Sequence, residues 1–281
     1  MLEKKIKKKI WQNIKKETQY LLHNEPILKE FFYNMVLKHE NFDDSLSYIL
    51  SYKLSKLSII SLVTFYNIFK KIYKKKPSII NSAILDIQAI YNRDPLINKY
   101  STPFLHFKGF HALQIHRINN WLWNNNRREL SIYLQNIMSS FFSIDIHPAA
   151  QIGYGIMLDH ATGIVIGSTT IIENNVSILQ SVTLGGTYKK SDYQKNKNRH
   201  PLIKEGVFIG AGAKILGNIE IGKNSKIAAG SVILKTVPPN TTAVGVPARI
   251  IEKSIVNNSF SENNKHQISI LISGFEYGDG I

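Results

Sequence analysis

Five side chains in this 281-residue sequence have the types and neighbours for acid–base work. His160 lies in the run Leu158-Asp159-His160-Ala161-Thr162-Gly163, and His200 lies in Arg199-His200-Pro201. Asp94, Asp145 and Asp159 are the carboxylates placed to partner them. A neutral imidazole takes a proton from a hydroxyl as that oxygen attacks a carbonyl. A carboxylate on the other ring nitrogen fixes the tautomer and stabilises the imidazolium that forms. Backbone N–H groups at Gly-rich turns supply the oxyanion donors. The chain has no cysteine, which excludes a thiol nucleophile, a thiolate metal site and any disulfide. No G-x-S-x-G elbow is present either. Direct attack by a bound acceptor is therefore the economical chemistry.

These residues sit in a stretch with an unusual period. Ile209, Ile215, Ile221, Ile227 and Ile233 recur every six positions. Ile146, Ile152 and Leu158 hold one phase, and Ile166, Ile172, Ile178 and Leu184 hold another, two residues on. A six-residue period fits neither a helix nor an alternating strand. It fits a solenoid in which each flat face takes one hexapeptide and three faces close a coil. One coil cannot bury its own apolar face, so the coils must stack. The phase slips at His160. A local break of a repeat beside clustered Asp and His marks a functional site.

The residues before the solenoid carry helical periodicity. Helices are expected over 4–22, from Glu25-Pro26 to His39, over 45–54 with Asp43 or Asp44 as the cap, over 59–74, over 78–92, over 103–124 and from 127 to 140. The residue before a proline is pushed out of helical geometry, so Asp94, ahead of Pro95, is expected on a loop. Phe104, Phe107, Phe110, His111, Trp121 and Trp123 read as helix core. Three parts result: a helical domain 1–143, a β-helix domain 144–251 with an inserted polar loop 187–200, and a tail 252–281 that reads as mobile.

The formal net charge is +15, with lysines grouped at 4–9, 70–76 and 189–197. No nucleic-acid motif accompanies them, and they read as solvated faces of a Lys-, Ile- and Asn-rich chain. The basic start has no signal-peptide core, and the run 57–69 is too short and polar to span a bilayer. The expectation is a cytoplasmic protein that binds neither nucleic acid nor membrane.

Several blocks resemble bacterial serine O-acetyltransferases: DIHPAAQIGYGIMLDHATGIVIG, ILQSVTLGGT, NRHPLIKEGVFIGAGAKILGNIEIG, AAGSVILKTVPPNTTAVGVPARI, the helical DIQAIYNRDP and KYSTPFLHFKGFHALQIHRINNWLW, and the ending FEYGDGI. The resemblance implies an α-helical domain followed by a left-handed parallel β-helix, assembled as a homohexamer, a dimer of trimers. It implies transfer of acetyl from acetyl-CoA, without a metal, to the hydroxyl of L-serine, which begins cysteine synthesis. By matching motifs, His160 is the general base and Asp145 its partner. Asp94 and Asp159 hold the serine amino group, Arg199 its carboxylate, and His200 completes the pocket. A zwitterion wants carboxylates at one end and a guanidinium fork at the other. Gly186, Thr187, Ala211, Ala229 and Lys226 line the CoA groove. L-cysteine is the expected feedback inhibitor. The C-terminal Ile281 is the expected anchor for O-acetylserine sulfhydrylase. The loop Tyr188–Asn198 is longer and richer in lysine than the family form. Alternatives at this level are another hexapeptide acyltransferase, a zinc β-helix carbonic anhydrase using His147, His160 and His200, and a non-catalytic scaffold that docks a partner through its tail.

Overall fold

The structure, a computed structural model, describes residues 2–187 and 198–251. The middle of the polar loop and the tail that ends in Ile281 lie outside the described residues. Eight α-helices precede the first strand. They are α1 (Leu2–Asn24), α2 (Lys29–Phe32), α3 (Phe42–Ser55), α4 (Leu62–Lys75), α5 (Ser78–Arg93), α6 (Ser101–His106), α7 (Lys108–Asn124) and α8 (Arg128–Phe142).

Four expectations need correction. The helix expected from Glu25 to His39 is three pieces: a 3₁₀ turn at Pro26–Leu28, the short α2, and a π turn at Tyr33–Leu37. The cap of α3 is Asn41 rather than either aspartate; its side chain accepts the Asp44 N–H at 3.0 Å and donates back to the Asp44 carboxylate at 3.0 Å. That reciprocal pair satisfies an orphan donor two residues earlier than an aspartate cap would. Helix α4 starts at Leu62 behind a Ser61 cap, which leaves Ile59 fully in solvent. The single helix expected over 103–124 is split at Phe107, whose extended backbone (ψ 112°) ends α6 and opens α7.

The aromatic stripe divides accordingly. Phe104, Phe110 and His111 are buried, while Phe107, Trp121 and Trp123 are half-buried. His111 places Nε2 2.8 Å from the Phe104 carbonyl, and burial pushes its pKa down to about 3. It is a neutral core residue.

From Asp145 onward the six-residue register appears as three parallel sheets. In the first, Ile146, Ile166, Leu184, Ile215 and Ile233 align in turn. In the second, Ile152, Ile172, Ile203 and Ile221 align. In the third, Leu158, Ile178, Ile209, Ile227 and Ala243 align. Nearly all are buried, so each coil covers the apolar face of the next. The architecture is the expected helical domain followed by a left-handed β-helix of hexapeptide repeats. The last turn departs from the repeat: Thr242–Gly245 pairs antiparallel with Ala248–Ile251 as a closing hairpin.

One buried ion pair fastens the helices to the first coil. Asp86 of α5 and Arg117 of α7 pair at 2.7 Å, with Asp86 fully buried and Arg117 nearly so. Arg117 also donates to the Ile152 and Gly153 carbonyls at 3.2 and 2.7 Å, and the other Asp86 oxygen takes the Ile156 N–H at 2.9 Å. The charges that burial strips of water thus find partners on both sides of the junction. Among the described residues no helix is long and apolar enough to cross a membrane.

Candidate functional site

The prism has three edges, and two of them carry the residues picked out by chemistry. The first is the corner where the third sheet turns into the first, and it holds the phase slip. His160 (φ 49°) and Ala161 (φ 64°) both take left-handed backbone conformations, which no strand tolerates and a tight turn requires. Asp159 caps the turn by accepting the His160 N–H at 2.9 Å. The Gly163 N–H bonds to the Ser143 carbonyl at 2.7 Å, and Lys108 of α7 reaches Thr162. Gly109 lets α7 lie against this corner, since a Cβ there would stand 2.1 Å from the Leu158 carbonyl oxygen. Ala161 is thereby buried, and the His160 ring is turned outward.

One carboxylate faces that ring and a second stands near the first. The Asp159 Oδ2 lies 3.6 Å from His160 Nε2. Burial holds the Asp159 carboxyl above its ordinary pKa; the neighbouring His160 works against this, and the like charge of Asp94 adds to it. Asp94 caps the C-terminus of α5 in an extended conformation and accepts the Leu96 N–H at 2.9 Å. Its neighbour Arg93 donates to Ser177 at 3.1 Å and Asn175 at 3.2 Å, which moors the end of α5 to the coils. Asp94 of the helical domain thus lies near enough to Asp159 of the coils for its charge to be felt there.

Asp145 opens the first strand behind the same corner. Its N–H bonds to the Ile164 carbonyl at 2.9 Å, and its Oδ1 accepts from Gln135 Nε2 of α8 at 2.7 Å. Among the described residues no hydrogen bond or ion pair joins Asp145 to His160; the ring leans on Asp159 instead.

The second edge is the corner from the first sheet into the second. Here His147, Thr169 and the end of the polar loop stack on one another. Thr169 donates its backbone N–H (3.1 Å) and its hydroxyl (2.8 Å) to His200 Nδ1, while its Oγ1 accepts the N–H groups of Arg199 (3.1 Å) and His200 (3.2 Å). A ring whose Nδ1 accepts an N–H carries its own hydrogen on Nε2 when neutral. Gly167 makes the room, because a Cβ there would fall 2.2 Å from the His200 ring. His147 is fixed the same way: the Ala149 N–H donates to its Nδ1 at 3.0 Å, and Trp123 meets it edge-on at 5.1 Å.

Burial lowers the pKa of both histidines. Arg199 lowers both further, His147 adds to the effect on His200, and Asp145 opposes it at His147. Arg199 is exposed at this edge, His147 is half-buried and His200 is buried beneath them, so the guanidinium is the group most open to a carboxylate.

Gly186 lies on the second edge, where a Cβ would sit 3.6 Å from His200 Nε2, and Thr187 follows it. Ala211 and Ala229 lie on the first edge, in the corners that repeat the His160 turn two and three coils on. These corners expose only small residues, and a Cβ on Gly230 would meet nothing within 4 Å. Such a ledge leaves backbone groups open to a long, flexible ligand. Lys226 pairs with Phe208 and Thr242 within the third sheet.

Sequence reasoning missed the scaffold of this site. Gln135 holds Asp145 and Thr169 holds His200 and Arg199 directly, while Asp86, Arg93 and Arg117 fasten the helices to the coils beside them. Asp86 carries a readable signal, a lone carboxylate in the apolar stripe of α5. Gln135 and Thr169 stand among ordinary polar positions and carry none.

Comparison with known proteins follows this geometry. Residues 10–115 match the family model "Serine acetyltransferase, N-terminal", and residues 200–235 match "Bacterial transferase hexapeptide (six repeats)". The serine acetyltransferase of Escherichia coli (strain K12) is 55% identical over 272 residues, 97% of each chain. A solved serine acetyltransferase in complex with cysteine superposes with a TM-score of 0.83 at 53% identity, covering 87% of this chain and 99% of that one. Another, in complex with CoA, gives 0.81 at 53% identity over 86% and 99%.

Proposed function

The chain belongs to the serine acetyltransferase family, and from that premise we propose how its two polar edges carry out the reaction. It is an acyltransferase, and acetyl-CoA is its co-substrate. The acceptor is L-serine. Its ammonium group settles between Asp94 and Asp159, and its carboxylate meets Arg199 and the Nε2–H of His200. Serine's ammonium replaces the imidazole at Asp159, which frees the His160 ring to turn toward Asp145. One ring nitrogen then accepts the serine hydroxyl proton while the other faces the Asp145 carboxylate. The alkoxide oxygen bonds to the thioester carbon. The tetrahedral adduct expels the CoA sulfur, and the imidazolium returns its proton to that sulfur. O-acetyl-L-serine and CoA leave. Gly186, Thr187, Ala211 and Ala229 line the path of the pantetheine, with Lys226 toward the nucleotide.

The observation that carries this reading is the separation of charge. The carboxylates stand with His160 at one edge, and Arg199 stands with His147 and His200 at another. A zwitterion of serine's size needs both, so the first edge of one copy meets the second edge of the next. A trimer repeats that junction three times by symmetry. The homohexamer and the cytoplasmic setting belong to the same reading. L-cysteine presents the same ammonium and carboxylate, which makes it a competitor for the pocket, and a relative binds it. The tail ending in Ile281 is the docking peptide for O-acetylserine sulfhydrylase. The three histidines of the zinc alternative sit on two different edges of one chain.

The test is complementation. His160→Ala should lower kcat by about 10²–10⁴-fold, Asp145→Asn should impair the base with the fold intact, and Arg199→Ala should raise the KM for serine steeply. Co-expressed in equal amounts, His160→Ala and Arg199→Ala chains should recover about a quarter of the native rate, since a quarter of junctions pair two intact edges. Mixed oligomers no faster than their parents would rule out a shared site. A His160→Ala enzyme of native rate would remove the base.

A further inference from the structure

We infer that Gln135 is a positioning residue for the transfer reaction, acting through Asp145. This rests on the reading in which Asp145 supports His160 as the base. Gln135 projects from α8 and donates Nε2–H to Asp145 Oδ1 at 2.7 Å. Asp145 is the first residue of its strand, and its N–H is held by the Ile164 carbonyl at 2.9 Å, one residue beyond the His160 turn. The backbone therefore sets where the carboxylate starts, and Gln135 sets which way it faces. With Oδ1 tied to the amide, Oδ2 is the oxygen left for an imidazole. An amide donor also adds no charge that would compete with the imidazolium. Helix α8 itself ends in the Ser143 cap, whose carbonyl takes the Gly163 N–H at 2.7 Å. The helix that carries Gln135 is thus bonded to the turn that carries His160, and the carboxylate lies between them.

Gln135→Leu and Gln135→Glu separate this role from mere packing. The leucine variant keeps the bulk and loses the donor; kcat should fall about tenfold at every pH, a loss typical of a hydrogen bond to a charged group, with the KM values for serine and acetyl-CoA unchanged. The glutamate variant should depend on pH. Two carboxyl groups at this spacing share a proton. While it is shared, the hydroxyl of the introduced carboxylic acid replaces the amide donor and the rate stays near native. As pH rises and the proton leaves, the two anions repel and the rate falls to the leucine level or below. Adding Gln135→Leu to Asp145→Asn should cost nothing further. Native kcat in both Gln135 variants across the pH range, with Asp145→Asn impaired, would overturn the inference and leave the base assignment standing. A native rate in Asp145→Asn would instead sink the underlying reading. Equal, pH-independent losses in both variants with raised KM and lowered thermal stability would show a packing role and would also overturn it.

Discussion

Replacing Arg117 with methionine should loosen the whole chain and the proposed serine pocket together. The guanidinium satisfies Asp86 through Nε at 3.1 Å and Nη2 at 2.7 Å, and it also caps two carbonyls of the first coil. Methionine fills a similar volume and removes all four bonds. Asp86 keeps only Gln114 at 3.0 Å and the Ile156 N–H at 2.9 Å. Truncating one member of a buried pair costs about 3–5 kcal/mol, mostly because the surviving charge is stranded. At roughly 2–4 °C per kcal/mol for larger domains, the melting midpoint should drop by about 10 °C. Asp86 lies two helical turns before Asp94 on α5, so the KM for serine should rise in the surviving enzyme while that for acetyl-CoA changes little. Scanning calorimetry of the native protein, Arg117→Met, Asp86→Asn and the double variant gives the answer. The double variant should be more stable than Arg117→Met alone, because no uncompensated charge remains. A midpoint for Arg117→Met within about 2 °C of native would refute the assignment of this pair as the fastening between helices and coils.

Two further outcomes bear on the site and the tail. Burial, reinforced by the charge of Asp94, raises the pKa of Asp159, with His160 opposing. In the proposed binding mode the ammonium needs the ionised form, so the KM for serine should climb as pH falls, starting above the ordinary carboxylate range, and Asp159→Asn should remove the dependence. A serine KM that stays flat down to about pH 4 would contradict this. The same raised pKa favours the folded state while Asp159 is protonated, a contribution lost as pH rises through the folded value. Deleting Phe275–Ile281, which lies outside the described residues, should abolish sulfhydrylase binding in calorimetry and spare transferase activity; undiminished binding would refute the docking role.

The solenoid was legible because its signal is repetitive and one-dimensional. Each inward isoleucine must stack on its copy one coil away, so register is written into spacing, and Ile209 to Ile233 align as their spacing requires. The helical character of the first 143 residues was legible, but the number of helices, the 3₁₀ and π pieces between Pro26 and Leu37, and the helix ends were not. The Asn41 cap and the Phe107 break depend on tertiary partners: Phe42 is buried by the helical core, and Gly109 must touch Leu158. The candidate residues stood out in the sequence because Asp159 and His160 lie where the repeat slips and Arg199 and His200 where the polar loop interrupts it. What holds them did not. Gln135 to Asp145 and Thr169 to His200 are contacts between ordinary residues far apart in sequence, and no local pattern announces them.

The repeat also explains why His160 stands where it does. In a regular coil each side chain either stacks inside or points away from a flat face, and neither produces the outward-turned corner on which His160 stands. The two residues inserted between Leu158 and Ile166 lift the chain off that lattice. They do so with two consecutive left-handed conformations at residues other than glycine, each costing about 1–3 kcal/mol. That strain persists only because the surroundings over-determine it. Gly163 is bonded to Ser143, Lys108 to Thr162, and the Gly109 backbone presses on Leu158. All three partners belong to α7 or to the end of α8. The helical domain therefore does more than supply Asp94: it holds the irregular corner in the shape that turns His160 outward. Separated from its helices, the β-helix would be free to relax that corner, and the His160 ring would lose its outward orientation before the coils lost their register.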